Sequence, residues 1–305
     1  MQITAFAPGH ITGLFHIQDE SQNDLNTGSL GAGFSIDKGV TTRIVQNDPK
    51  QTGNHIRING KLQDNATVSM TVINLFFQKT GMKNPYNFSV FHNIQPPMAS
   101  GFGTSGAGAL SLAIGLNRFF GSPLSSVKAA QIAHNAEIHC KTGLGTVIGE
   151  YTGGIEIRTS PGAPGIGKIT QIPCPDNVIA GCMLFGSIHT AEALANTHYR
   201  KKINSIGKKL LNELLDTPTI DFFLSASKRF TDNLGLLSPN AEKSMSMLEE
   251  IGLNAGMLMF GDGVFTLLPL HMKSKVQKIF DSFHNAETAF FSDIDKRGGR
   301  ITHEH

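Results

Sequence analysis

A short segment in the first half of the chain combines the residue types that bind phosphate. Residues 101–108 hold four glycines together with Thr104 and Ser105, and an apolar run begins at Leu110. Backbone with so few side chains can turn its N–H groups toward an anion, and a helix start adds a partial positive charge. This glycine loop therefore predicts a phosphate cradle that precedes a helix, with Thr104 and Ser105 at the N-cap.

Two familiar nucleotide-binding patterns do not fit the glycine loop. No Gly-Lys-Ser/Thr follows it, which excludes the Walker loop. Gly101, Gly103 and Gly106 match G-x-G-x-x-G, but no acidic residue follows about 20 residues later, as a dinucleotide site requires. Taken alone, the glycines could also form only a tight turn with a close packing contact.

Composition narrows the class of protein. With 305 residues, 40% hydrophobic and 16% charged, the chain predicts one large or two medium globular domains. A net charge of +2 gives no case for nucleic-acid binding. The three cysteines form no C-x-x-C pair, and no signal peptide or membrane-spanning apolar run is evident. We therefore expect a cytoplasmic protein without membrane association.

The distribution of apolar residues predicts an α+β fold with two subdomains. Strands are expected at 3–7, 41–45, 55–58, 88–94, 155–158 and 178–185, and helices at 64–80, 110–121, 122–140 and 200–215. A Gly/Pro-rich region covers 142–167, and a glycine-containing turn at 256–265 leads into a strand. We place the domain boundary at residues 170 and 171, giving domains 1–170 and 171–305. The polar residues 296–305 are expected to be mobile.

Three motifs, in order, resemble the GHMP kinase superfamily of ATP-dependent small-molecule kinases, which includes galactokinase, homoserine kinase and mevalonate kinase. They are Ala-Pro-Gly-His-Ile-Thr-Gly at 7–13, the glycine loop, and the glycine turn at 256–261. The resemblance covers essentially the whole chain. It implies the two-subdomain GHMP kinase fold, with ATP bound in the first subdomain.

Within the superfamily the chain is similar to the archaeal pantoate kinases, on the segments 8–13, 28–33, 141–145, 153–162 and 259–261. This resemblance implies phosphorylation of the hydroxyl of pantoate to 4-phosphopantoate, for coenzyme A synthesis. The implied partners are ATP, Mg²⁺ and this small substrate, without nucleic acid or membrane. The formation of a homodimer is left open. A kinase for another hydroxy acid or amino acid, or a non-catalytic nucleotide-binding relative, is the alternative.

The resemblance also implies roles for single residues. Those expected to contact the nucleotide lie in and before the glycine loop: Pro97, Gly101, Gly103, Thr104, Ser105, Gly106, Ala107 and Gly108. Ser105 and Glu137 match the superfamily's Mg²⁺ ligands, and carboxylates are the side chains that Mg²⁺ prefers. A helix cap for Ser105 and an ordinary exposed helix position for Glu137 are the plainer interpretations.

The acceptor side is expected to involve five residues. His10 stands where several relatives place a lysine near the acceptor hydroxyl, and a structural histidine is the alternative. Arg43 and Arg158 are candidates for binding a substrate carboxylate, because a guanidinium pairs with it through two hydrogen bonds. Ser29 and Gly31 are expected to approach the acceptor on resemblance only.

Thr146 departs from the family pattern, which reads Gly-Leu-Gly-Asp where this chain has Gly-Leu-Gly-Thr at 143–146. The aspartate corresponds to a catalytic base, and threonine cannot take that role at neutral pH. Ser105, Glu137, Thr146 and His10 are the expected catalytic residues. Positioning and metal charge could suffice without a base; the protein could act on another substrate or be inactive; or Glu150, one helical turn later, could substitute.

Overall fold

The computed structural model describes residues 1–48, 53–85, 87–187, 197–259 and 261–304. Its strands are β1 (Gln2–Gln18), β2 (Gly28–Gln46), β3 (His55–Ile58), β4 (Lys61–Leu62), β5 (Phe88–Ile94), β6 (Ile155–Ser160), β7 (Lys168–Ile172), β8 (Val178–Ser187), β9 (Gly256–Met257), β10 (Gly261–Pro269), β11 (Thr288–Asp293) and β12 (Arg300–Glu304). Its helices are α1 (Thr67–Thr80), α2 (Thr104–Phe119), α3 (Ser126–Cys140), α4 (Thr146–Thr152), α5 (Thr197–Asp216), α6 (Ile220–Leu234), α7 (Pro239–Glu250) and α8 (Lys273–Asp281).

The first sheet is built on a long antiparallel pair, β1 and β2. Its strand order is β12-β1-β2-β5-β3-β4, and β6 pairs with β2 while β7 pairs with β6. The expected strands at 3–7 and 41–45 are therefore only the ends of β1 and β2. Both strands continue through glycine-containing segments, with irregularities in the register after Pro8 and Thr12. Such bulges bend a strand. On one side of them β1 and β2 pack against the helices between β4 and β6, and on the other side they pack in a core shared with the second sheet.

Helices α1, α2 and α3 pack together beside this sheet. The prediction of a helix ending at Gly81 is confirmed: Val72, Ile73 and Phe76 are buried, and Gly81 closes α1 with a φ of 69°. Helix α3 starts later than expected. Its N-cap is Ser125, which accepts a hydrogen bond from the N–H of Lys128, whereas Ser122 lies in the preceding turn.

A second sheet of four antiparallel strands, in the order β11-β8-β10-β9, forms the other subdomain with α7 and α8. The two sheets share one hydrophobic core, which also takes in α5 and α6. Phe34 of β2 meets Phe265 of β10 with ring centroids 5.3 Å apart. This arrangement confirms the expected α+β fold with two subdomains. Among the described helices, none is long and apolar enough to cross a membrane.

The end of the chain returns to the first sheet. β12 pairs antiparallel with β1, opposite residues 3–6, so the expectation that residues 296–305 are mobile is wrong for the strand residues. The predicted boundary at residues 170 and 171 falls within β7, before the chain passes into β8 and the second sheet. The first subdomain therefore takes a strand from beyond that boundary.

Candidate active site

The three glycine-containing motifs meet at one point between the subdomains. The backbone N–H of His10 donates to the carbonyl of Phe102 at 2.9 Å. On the other side of the loop, a Cβ at Gly101 would lie 2.5 Å from the carbonyl oxygen of Met259. A Cβ at Gly261 would lie 2.4 Å from the carbonyl oxygen of Ser100. Phe260, part of the third motif, lies outside the described residues.

The glycine loop leads into α2 through Gly103, whose φ is 62° and which is the N-cap. Thr104 is the first helical residue, and no side chain caps this helix start. The expectation that Thr104 and Ser105 occupy the N-cap is therefore wrong. The first backbone N–H groups of an α-helix have no intrahelical partner, and Gly103 has no side chain that could cap them, which favours the binding of an anion there. Pro97 lies upstream, between β5 and α2.

The two predicted Mg²⁺ ligands are in direct contact. The hydroxyl of Ser105 donates to Oε1 of Glu137 at 2.5 Å, and the hydroxyl of Thr142 donates to the same oxygen at 2.6 Å. Burial raises the pKa of Glu137, while the two hydroxyl donors oppose that rise. The plainer interpretation, an exposed helix glutamate, is wrong, because Glu137 is buried.

This pair fits a magnesium ion that is held mainly by nucleotide phosphates. Within the described ranges, no group of three or more His, Cys, Asp or Glu side chains could hold a metal by itself. Mg²⁺ commonly binds through one or two protein oxygens together with phosphate oxygens and water. A carboxylate and a hydroxyl beside the start of α2 are the kinds of protein ligand that such an ion requires.

Thr146 begins α4 and faces the same region from the other side. A Cβ at Gly106 would lie 2.6 Å from Oε2 of Glu150 and 2.8 Å from Oγ1 of Thr146, so these groups adjoin the first turn of α2. Thr146 is half-buried and Glu150 is fully buried. Burial is the largest cause that raises the pKa of Glu150 well above its usual range, and Glu137 adds to it.

A second buried charged group lies behind the loop. Oε1 of Glu156 is 2.7 Å from Nε2 of His10 and 2.7 Å from Nη1 of Arg158. All three side chains are at most 2% exposed. Because a carboxylate only accepts hydrogen bonds, the contact favours the Nε2–H tautomer of His10. Burial lowers the pKa of Arg158, and Glu156 opposes that change. The contacts favour the structural interpretation of His10.

The predicted acceptor residues fall into two places. Gly31 pairs with Arg158 across β2 and β6, and Ser29 lies on the same strand. A Cβ at Gly145 would lie 3.0 Å from the hydroxyl of Ser29, which brings Ser29 beside the start of α4. Arg43 lies apart, near the other end of β2. Its guanidinium stacks on Phe91 at 4.3 Å and lines a separate surface pocket of about 280 Å³.

Glu156 is the functional-site residue that the sequence reasoning missed. Its signal is the alternation Ile-Glu-Ile-Arg at 155–158, which puts Glu156 and Arg158 on one face of β6. Charged residues on a strand face next to a Gly-rich segment predict a buried ion pair if that face is covered. The covering residue, His10, is 146 positions away in the sequence.

The space at Gly106 gives a test of this geometry. Gly106→Ala is expected to weaken nucleotide binding at least tenfold, because the added methyl group contacts Thr146 and Glu150, and overpacking of this kind costs about 1–3 kcal/mol. Gly108→Ala is the matched comparison on the same helix: no atom of the described residues lies within 4 Å of its Cβ position. Because its methyl group meets no neighbouring side chain, Gly108→Ala is expected to lose less nucleotide affinity than Gly106→Ala. Equal affinities of the two variants in a fluorescence titration would contradict the geometry.

Comparison with known proteins agrees with this arrangement. The model of the GHMP kinases N-terminal domain matches residues 67–154, from α1 to the end of α4. A pantoate kinase of Methanocaldococcus jannaschii is 36% identical over 86% of this chain and 91% of its own length. A pantoate kinase of Thermococcus kodakarensis is 31% identical over 93% of each chain.

A solved structure described as a phosphotransferase related to the CoA biosynthesis pathway is similar throughout. It has a TM-score of 0.88 at 29% identity and covers 99% of both chains. These matches cover the glycine loop and also β2, β6 and the second subdomain. The chain therefore belongs to the pantoate kinase family of the GHMP kinases.

Proposed function

We propose that this protein is an ATP-dependent kinase that phosphorylates the hydroxyl of pantoate and yields 4-phosphopantoate for coenzyme A synthesis. The observation that carries the proposal is the uncapped start of α2 directly beside the Ser105–Glu137 pair. The relatives named pantoate kinase support the choice of acceptor. We also propose a cytoplasmic location, supported by the three free thiols.

The nucleotide would bind with its phosphates at the glycine loop. The free N–H groups at the start of α2 would hold phosphate oxygens, and the helix dipole would favour their negative charge. Ser105 and Glu137 would hold Mg²⁺, which neutralises charge on the transferring phosphate. The close packing of Gly101 against Met259 supports a loop whose position depends on both subdomains.

The acceptor would bind on the side of β2 and β6. Pantoate carries a carboxylate, and Arg158 offers a guanidinium whose Nε has no partner among the described residues. Glu156 and His10 would hold that guanidinium in place. Ser29, beside Gly145, would contact a polar group of the substrate. Arg43 has no part in this proposal, because it lies at the other end of β2.

The reaction requires an oriented hydroxyl more than covalent chemistry by the protein. The acceptor oxygen forms a bond to the γ-phosphorus while the bond from that phosphorus to the departing ADP oxygen breaks. The hydroxyl proton must leave the oxygen. Holding the two reactants in line supplies a large part of the rate enhancement.

A direct assay separates this function from its alternatives. The purified protein is incubated with Mg-ATP and, in turn, pantoate, homoserine and mevalonate, and ADP release is followed. We expect turnover with pantoate and a Ser105→Ala variant at least 10²-fold slower. Turnover with another acceptor alone would replace pantoate in the proposal. Nucleotide binding without any turnover would favour the non-catalytic relative. A homodimer remains a prediction that light scattering tests.

A further inference from the structure

Glu150 is a buried carboxyl group whose nearest hydrogen-bond donor, the Thr146 hydroxyl, does not reach ordinary hydrogen-bond geometry. Its side chain is 0% exposed, and within the described part of the chain neither Oε1 nor Oε2 receives a hydrogen bond of ordinary geometry. Leaving such a group unpaired costs about 1–3 kcal/mol or more for a charge. An apolar residue would avoid that cost, so the carboxyl group calls for a functional explanation.

The carboxyl group is directed at the point where the glycine loop becomes α2. A Cβ at Gly103 would lie 2.7 Å from Oε1, and a Cβ at Gly106 would lie 2.6 Å from Oε2. Only glycine at both positions leaves this space. The backbone carbonyl of Glu150 is fixed from behind by the N–H of Gly299 at 2.9 Å. The side chain is therefore held against the proposed phosphate site.

Thr146 is the polar group between Glu150 and the cleft. The two residues are four apart on α4, so they share one face of the helix. Both oxygens of Glu150 and Oγ1 of Thr146 lie within 2.9 Å of a single point, the Cβ position at Gly106. Thr146 is half-buried, whereas Glu150 is fully buried, so Thr146 is the more accessible of the two residues.

Burial is the largest cause that raises the pKa of this carboxyl group, and the charges of Glu137 and Glu156 add to the rise. A hydrogen bond from Thr146 and the charge of Arg158 oppose it. His10 lies next to the carboxyl group across Gly103. A general base is recognised first by its geometry, within hydrogen-bond reach of the proton that it accepts.

We propose that Thr146 and Glu150 together form a proton relay for the phosphoryl transfer. As the acceptor oxygen bonds to the γ-phosphorus and ADP departs, Oγ1 of Thr146 takes the hydroxyl proton, and its own proton passes to Glu150. Glu150 ends protonated, and no group is oxidised or reduced. The proposal rests on the proposed function. It makes Thr146 the residue that touches the acceptor, and Glu150 the residue that acts through it.

Four variants test the relay in the full-length protein. Glu150→Gln keeps the shape of the side chain but cannot accept a proton, and we expect kcat to fall on the order of 10²-fold. Thr146→Val removes the hydroxyl and is expected to have a similar effect. Thr146→Ser keeps the hydroxyl, and its kcat is expected to be at least ten times that of Thr146→Val. The double variant Thr146→Asp/Glu150→Gln moves the carboxylate to the cleft and is expected to recover at least tenfold over Glu150→Gln.

Two further measurements separate a relay from a purely structural role. For Glu150→Gln we expect an ATP dissociation constant within about twofold of wild type and a Tm close to that of the wild type, since glutamine keeps the size and shape of the buried side chain. Three results would overturn the relay and leave the proposed function standing. They are a wild-type kcat in Glu150→Gln, a parallel loss of kcat, affinity and Tm in that variant, and no recovery in the double variant. A wild-type protein inactive toward all three acceptors would overturn the proposed function and the relay with it.

Discussion

Glu137→Gln is expected to lower kcat on the order of 10³-fold while the protein stays folded. The carboxylate is the one charged protein ligand in the proposed magnesium site, and removing a group that stabilises charge in the transition state costs about 10²–10³-fold or more. The amide oxygen of glutamine can still accept the hydroxyl hydrogen bonds from Ser105 and Thr142. Steady-state ADP release at saturating ATP measures the effect.

Two comparisons make this prediction specific. Glu242→Gln changes an exposed glutamate on α7 and is expected to leave kcat, nucleotide affinity and Tm unchanged. Magnesium should strengthen nucleotide binding to the wild type by much more than to Glu137→Gln, which calorimetry with and without Mg²⁺ measures. A Glu137→Gln variant with wild-type kcat and the full magnesium effect would remove Glu137 from the proposed site.

Local sequence signals predicted local structure well. The apolar spacing and Gly81 of α1 correctly predicted that helix and its end. The glycine loop and the helix after it were also found, because phosphate-binding backbone needs residues without side chains. The N-cap assignment was wrong because the helix begins before both hydroxyl residues: Gly103, at a φ of 62°, is the N-cap, and Thr104 is already helical. The Ser105 hydroxyl donates instead to Glu137, a contact across 32 residues that the local pattern cannot reveal.

Long-range contacts explain the larger differences. The strands expected at 3–7 and 41–45 did not extend into the neighbouring glycine-containing segments, yet β1 and β2 run through them. At Gly33, for example, a Cβ would lie 2.5 Å from the ring of His10, so glycine there serves a close approach. β12 was missed because its polar residues gain their order by pairing with β1 almost 300 positions earlier. Such pairings leave no local periodicity to read.

The candidate site shows the same difference between what sequence motifs reveal and what depends on long-range contacts. The family resemblance correctly joined His10, the glycine loop and the last glycine turn, which the structure brings into contact. It gave no reason to separate Arg43 from Arg158. The structure distinguishes them by burial: Arg158 is enclosed with Glu156, whereas Arg43 stacks on Phe91 near the other end of β2. Burial of a charge depends on what covers the strand.

Glu156→Gln is expected to destabilise the protein by about 3–5 kcal/mol, because it leaves the guanidinium of Arg158 buried without its partner charge. For a chain of this length the corresponding fall in Tm is roughly 5–8 °C. The chain offers a matched control in Arg118–Glu304, another Arg–Glu pair at 2.7 Å whose side chains are 48% and 43% exposed. Solvent screens that pair, so Glu304→Gln should leave Tm unchanged within error. Differential scanning calorimetry compares the two.

The double variant Glu156→Gln/Arg158→Gln identifies the cause of the loss. If an uncompensated buried charge is responsible, removing the second charge should recover part of the lost Tm, although two favourable contacts are gone. A double variant less stable than Glu156→Gln would instead assign the cost to packing. Glu156→Gln should also raise the KM for pantoate more than the KM for ATP, because Glu156 holds Arg158 and not the glycine loop. Equal effects on both constants would separate Arg158 from the substrate carboxylate.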